Sequence, residues 1–234
     1  MSFVHRIENL LLAAVLALLV LLGVAGTSTA FANTDELIRH LTLLVGMLGG
    51  MAAARDGRLL SMGTIVHAMP DRWKPWIELF TGVVGTTVSA LLTLAAWQFV
   101  EQEAGASSLL AFGVPRIVLQ AAMPLGFLFI TLRLARHSAA TNVLRAVVFA
   151  IAVALTVAVD QLDGGMASLQ TPLLVALAIA ILFGAPLFVG LAGIALIFFI
   201  SFGDPIASVP LDHYDQVTNP MLATLRVPPT AASR

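Results

Sequence analysis

Long apolar runs, rather than alternating or striped patterns, dominate this chain. Six can be delimited, at residues 10–31, 37–54, 76–100, 114–134, 143–159 and 172–202. A helix needs roughly 20 apolar residues to cross the hydrocarbon of a bilayer, and none of the six runs carries a charge at its centre. The pattern predicts six transmembrane helices. The last run is unusually long and holds Gly184, Pro186, Gly190 and Gly193 in its middle. A bend is expected there, because proline removes a backbone donor and clashes with the preceding turn.

A different pattern separates the second and third runs, where the chain reads RDGRLLSMGTIVHAMPDRWKP. Leu59, Leu60, Met62, Ile65, Val66 and Met69 recur at helical spacing, with Arg58, Ser61, Thr64 and His67 between them. This predicts one short amphipathic helix lying in the membrane interface. Pro70 ends it, Asp71 is placed to cap the next helix, and Pro75 suits that helix's first turn. Trp73 and Trp76 stand where indole rings prefer the headgroup level. Arg55, Arg58, Arg72 and Lys74 are candidate anchors for anionic lipid headgroups. A basic loop that merely obeys membrane topology explains the same residues.

Composition fits the pattern. Of 234 residues 59% are hydrophobic and 11% charged, and the mean hydropathy is +0.97. These values exclude a soluble globular domain and a disordered chain. The net charge of -1 provides no basic field for nucleic acid. Without cysteine there is no disulfide, thiolate metal site or cysteine nucleophile. The fold class read here is an all-α integral membrane protein.

Lys and Arg in short loops set the orientation. With the N-terminus in the cytoplasm, Arg6, Arg55, Arg58, Arg72, Lys74, Arg133, Arg136 and Arg145 fall inside, against Arg39 and Arg116 outside. Six crossings put the C-terminal tail, with Arg226 and Arg234, in the cytoplasm as well. The first run also admits a signal-peptide reading, with Ala30-Phe31-Ala32 as the cleavage site. That leaves the topology of the other helices unchanged.

Chemistry is sparse. His5, His40, His67, His137 and His213 fall in different loops or helix ends, and no HExxH, GxSxG or phosphate-binding glycine loop is present. No catalytic residue, cofactor or metal site is expected. Asp212, His213 and Asp215 form a DHYD cluster that invites a divalent cation. A solvated turn between Pro210 and Pro220 is the preferred reading of it. Glu78 follows Lys74 at the spacing of a local ion pair. In the second run Gly46 and Gly50 stand in small-xxx-small register, with Gly49 beside them, a pattern that lets helix backbones approach closely. The contact is either within the chain or with a partner subunit.

Three stretches carry a family resemblance. GGMAAARDGRLLS at 49–61 resembles the signature of the small membrane subunit of tripartite ATP-independent periplasmic (TRAP) transporters, where a small-residue run is followed by Arg-(Glu/Asp)-Gly-Arg. Here those positions are Arg55, Asp56, Gly57 and Arg58. Leu59 and Leu60 depart from the commoner His and Ile. In the fourth run Pro115, then Pro124, Gly126 and Phe127, then Arg133 are similar to that family's fourth helix. Beyond residue 171, Gly184 and Pro186 resemble the LxGxP motif near the start of the large membrane subunit of the same system.

The resemblance implies three parts: a small-subunit-like four-helix membrane domain at 1–137, a connecting transmembrane helix and outer loop at 138–170, and the start of a large-subunit-like domain at 171–234. On this reading the chain is a fusion that ends early in its large-subunit part. The function implied is the membrane scaffold of a sodium-gradient-driven importer of organic acids in the bacterial inner membrane, not transport-competent alone. The implied partners are the large membrane subunit or its remainder, a periplasmic substrate-binding protein and membrane lipids. A self-contained six-helix accessory or channel-like protein is the alternative, and a membrane-embedded enzyme is disfavoured by the scattered His, Asp and Glu.

Overall fold

A computed structural model describes residues 3–25, 35–55, 69–105, 113, 115–139, 141–161 and 167–218. These are helical throughout apart from short connections: α1 (Phe3–Ala25), α2 (Asp35–Arg55), α3 (Lys74–Glu103), α4 (Arg116–Gln120), α5 (Ala122–His137), α6 (Asn142–Asp160), α7 (Ala167–Leu182), α8 (Leu187–Phe202) and α9 (Ser208–Thr218). Five stretches are long and apolar enough to cross a membrane, namely His5–Val24, Glu36–Arg55, Lys74–Glu103, Arg116–His137 and Asn142–Asp160. The all-α membrane architecture expected from the apolar runs is therefore present. The interfacial helix expected at 59–69, with Asp56, Gly57 and Arg58 before it, lies outside the described residues except for Met69.

The long α3 is the centre of the bundle and packs against α5, α6, α7, α8 and α9. Its Val88, Leu91, Leu92 and Ala95 form one core with Leu177, Val189 and Leu196. Its Ala96 and Phe99 form a second with Leu43, Met47, Met123 and Tyr214. Helix α1 lies outermost and packs on α2. It shows Leu10, Leu11, Leu18 and Leu21 outward, as a helix bathed in hydrocarbon should. The fourth span is two helices, α4 and α5, broken at Ala121. Pro124 accounts for the break, since its ring lacks the N–H and crowds the carbonyl four residues back.

The sixth apolar run departs from a single crossing. It forms two helices of 16 residues, α7 and α8, packed on each other as a hairpin. Each is about 24 Å long, short of the roughly 30 Å hydrocarbon core. The chain reverses because α7 ends in a Schellman motif. Gly184 adopts φ 99°, Ala185 N–H donates to Ala180 O at 2.8 Å, and Gly184 N–H donates to Ile181 O at 3.0 Å. Pro186 then starts α8 with extended backbone. Gly190 and Gly193 let the two helices close, since a Cβ at either would meet Ile181 or Leu177 at 2.5 and 2.8 Å. A second motif of the same kind, with Gly203 at φ 80° and Asp204 N–H on Phe199 O, ends α8. Residues 208–218 consequently lie at the same end of the bundle as Asp160, not at the end where a sixth crossing would put them.

Candidate functional site

Among the described residues, the charged side chains that tie helices together stand at the two ends of the bundle. At the basic end Glu8 of α1 lies between Arg55 of α2 and Arg133 of α5. Arg55 Nη1 donates to Glu8 Oε2 at 3.1 Å and to Asn9 Oδ1 at 3.1 Å. Arg133 donates to the other oxygen of Glu8 and to the Met51 carbonyl. The Glu8, Arg55 and Arg133 side chains are 20%, 11% and 15% exposed. One carboxylate thus ties three helices together where water is largely excluded, the setting in which charge-assisted bonds are strongest. Arg55 was expected to anchor lipid; its side chain is instead largely covered and paired within the chain.

At the opposite end α9 packs on the bundle through Pro210 and Tyr214, with Val209 and Val217 against the two cores. His40 Nδ1 donates to the Glu36 carbonyl at 2.8 Å, which leaves Nε2 to accept from the Tyr214 hydroxyl at 2.6 Å. The Tyr214 ring meets the rings of His40 and Phe99, each with centroids 5.4 Å apart. Burial pushes its phenol above the ordinary tyrosine range, so it remains a donor. Beside this socket Arg116 of α4 pairs with Glu36 of α2. Gln98 of α3 donates to Asp160 of α6 at 2.9 Å at the same end. Tyr214→Phe is expected to lower stability by about 1–2 kcal/mol, the range for losing one buried hydrogen bond and stranding its acceptor. Thermal unfolding of the detergent-solubilised chain checks it.

The remaining sequence-predicted residues scatter. Asp212, His213 and Asp215 lie on exposed faces of α9, which is a helix and not the expected turn. Among the described residues no three His, Asp or Glu gather as a metal-binding group. Asp71 does not cap α3; the N-cap is Trp73, without a side-chain bond. Lys74 turns to Asp71 at 2.6 Å instead of to Glu78, and holds the Asp71 carboxyl below the usual range. Gly46 and Gly49 have open space where a Cβ would stand, and a Cβ at Gly50 would meet only Ile130, at 3.4 Å. The tightest approach is at Gly82 of α3, where a Cβ would come 2.3 Å from Cβ of Ser138, the C-cap of α5. Gly126 of the fourth-helix motif does pack tightly, since a Cβ there would lie 3.2 Å from Met47 Cβ, with Pro124 buried nearby and Phe127 bordering both cores. Pro115 is the N-cap of α4, and Gly184 and Pro186 make the hairpin tip, which borders a cavity of about 200 Å³ with Ala54, Glu78 and His137. Arg72, Trp73 and Trp76 stand exposed at the basic end.

Glu8, His40, Phe99, Tyr214 and Gly82 were missed by sequence reasoning. Only Glu8 carried a signal, a lone acid at the basic start of an otherwise apolar helix.

The family model described as tripartite ATP-independent periplasmic transporters, DctQ component, matches residues 12–145. No curated protein and no solved structure matches the chain. The matched region runs from α1 into α6, includes the Arg55 and Arg133 ends of the Glu8 tie, and spans more than half of the chain. The chain belongs to the DctQ component family of tripartite ATP-independent periplasmic transporters, and is a multi-pass membrane component of a transport system.

Proposed function

We propose that this chain is the fixed scaffold of a sodium-gradient-driven importer of organic acids, held in the bacterial inner membrane with its basic end in the cytoplasm. Its partners are the large membrane component, or the remainder of it, and a periplasmic binding protein that delivers the substrate. The observation that supports this reading is where the charges are. In the described spans they sit at the two ends and tie helices to one another. A conduit for an organic acid and sodium needs polar groups at mid-membrane depth. A crevice of about 200 Å³ between α3, α6, α7 and α8 is lined by Val, Leu, Ile and Ala apart from Thr87, Gly193 and Ser201.

Such a bundle suits a frame against which another domain moves. On this reading 1–137 is the small-subunit-like domain, 138–170 connects it, and the hairpin and α9 begin the large-subunit-like part, seated on α2 and α3. The test is reconstitution in vesicles. The chain alone should give no sodium-dependent uptake of dicarboxylates or sialic acid. It should co-purify with a large membrane component expressed beside it. Uptake by the chain alone, or a stable homo-oligomer that ignores the large component, would contradict the proposal.

A further inference from the structure

At the basic end a cleft of about 370 Å³ opens on the side of the bundle, lined by Met69, Trp73, Trp76, Ile77, Phe80 and Phe183. Three separate elements build it: the turn before α3, the first two turns of α3, and the hairpin tip that carries Phe183. Its rings are uncovered, with Trp73 52%, Trp76 67% and Phe80 37% exposed. Among the described residues, Asp71, Arg72 and Lys74 flank Trp73 at the mouth. The Arg72 guanidinium lies 6.0 Å from the Trp73 ring centroid, and Lys74 is paired with Asp71. Of these three charges one positive is left over. The depth is apolar, because Phe80 lies about 9 Å further along the helix axis than Lys74.

We infer that this cleft binds one anionic phospholipid, with its phosphate at Arg72 and Lys74 and the upper part of an acyl chain along Trp76, Phe80 and Phe183. The gradient from a net positive mouth to an aromatic floor fits that molecule and no small polar solute. Indole rings at the mouth match the headgroup level, where they are most stable. The surplus charge distinguishes an anionic from a zwitterionic headgroup, for which it has no use. Binding here also couples the lipid to the hairpin, since Phe183 sits next to the Gly184 reversal. The inference is independent of whether the chain serves as a scaffold.

The three tryptophans make the test direct. Trp97→Phe removes the one at the opposite end of α3 and leaves Trp73 and Trp76 as reporters. The full chain is reconstituted in phosphatidylcholine vesicles holding a minor share of phosphatidylglycerol, with bromine on the acyl chains of one lipid or the other. At equal mole fraction, brominated phosphatidylglycerol should quench as if enriched about fivefold at the rings, the factor for one uncompensated cation beside an anionic headgroup. Arg72→Gln should bring the two lipids to parity. Phe183→Ala removes one wall but no charge, and should also reduce the enrichment. Equal quenching by both lipids overturns the inference. So does an enrichment that Phe183→Ala leaves unchanged, which would mean diffuse attraction without a slot. Absence of quenching by either lipid would show the cleft covered by protein, and overturns it too.

Discussion

Glu8→Gln should destabilise the bundle by about 2–4 kcal/mol, somewhat under the 3–5 kcal/mol typical when one partner of a fully buried ion pair is removed. The reason is what remains. Arg55 and Arg133 each keep a largely covered guanidinium, and the acid they share is gone. Glutamine retains the volume and one acceptor, so the loss is electrostatic. Removing Arg133 as well should recover part of the cost, because one of the stranded cations goes with it. That sign of coupling distinguishes a shared tie from two independent surface pairs, which are worth 0–1 kcal/mol each. Thermal or denaturant unfolding of the four chains in the same detergent provides the cycle. A Glu8→Gln chain as stable as the parent would mean the three side chains are solvated and the tie contributes nothing.

Gly82→Leu should be at least as damaging. A Cβ at this position would lie 2.3 Å from Ser138 Cβ and 3.0 Å from Ser138 Cα. The obstacle includes backbone, so no rotamer change relieves it. Helix α3 and the C-terminal end of α5 must separate, and overpacking of this kind costs about 1–3 kcal/mol, more when backbone has to move. The matched control is Gly46→Leu, where nothing lies within 4 Å. That change should stay within about 0.5 kcal/mol of the parent or stabilise it slightly, since leucine favours helix over glycine. Equal damage at both positions would mean that Gly46 faces a partner helix, such as a second copy.

These two residues also mark the limit of sequence reading. The five long spans are legible because a bilayer demands about 20 apolar residues per helix, whatever the tertiary structure. The grouping of Arg55, Arg133, Arg136 and Arg145 with Arg6 at one end is legible for the same reason. What Glu8 does is not, because its partners are 47 and 125 positions away and come together only when α1, α2 and α5 pack. The small-residue register at Gly46 and Gly50 is a real pattern, yet Gly82 makes the contact, because pairing is decided by what the opposing helix presents. The α7–α8 reversal lies between these cases. A glycine followed two residues later by proline is a helix stop. Within an apolar run of some thirty residues it is equally compatible with a bend in one long helix, and the length alone favours that reading. Tyr214 was obscured by its neighbours. Asp212, His213 and Asp215 draw attention as ligands, while the residue between them is the one that turns inward.

The reversal decides on which side α9 lies, and with it how the hairpin and α9 sit on the DctQ bundle. Because the chain has no cysteine, a single introduced thiol reports its own side of the membrane. The decisive measurement is labelling of Asp212→Cys by a membrane-impermeant maleimide in intact spheroplasts and in inverted vesicles, with Glu101→Cys and Asp71→Cys as references for the two sides. The hairpin predicts that Asp212→Cys labels with Glu101→Cys, from the outside in spheroplasts. Labelling together with Asp71→Cys would mean a continuous sixth crossing. It would contradict the hairpin, the Tyr214 socket and the seating of α9 on α2 and α3 at once.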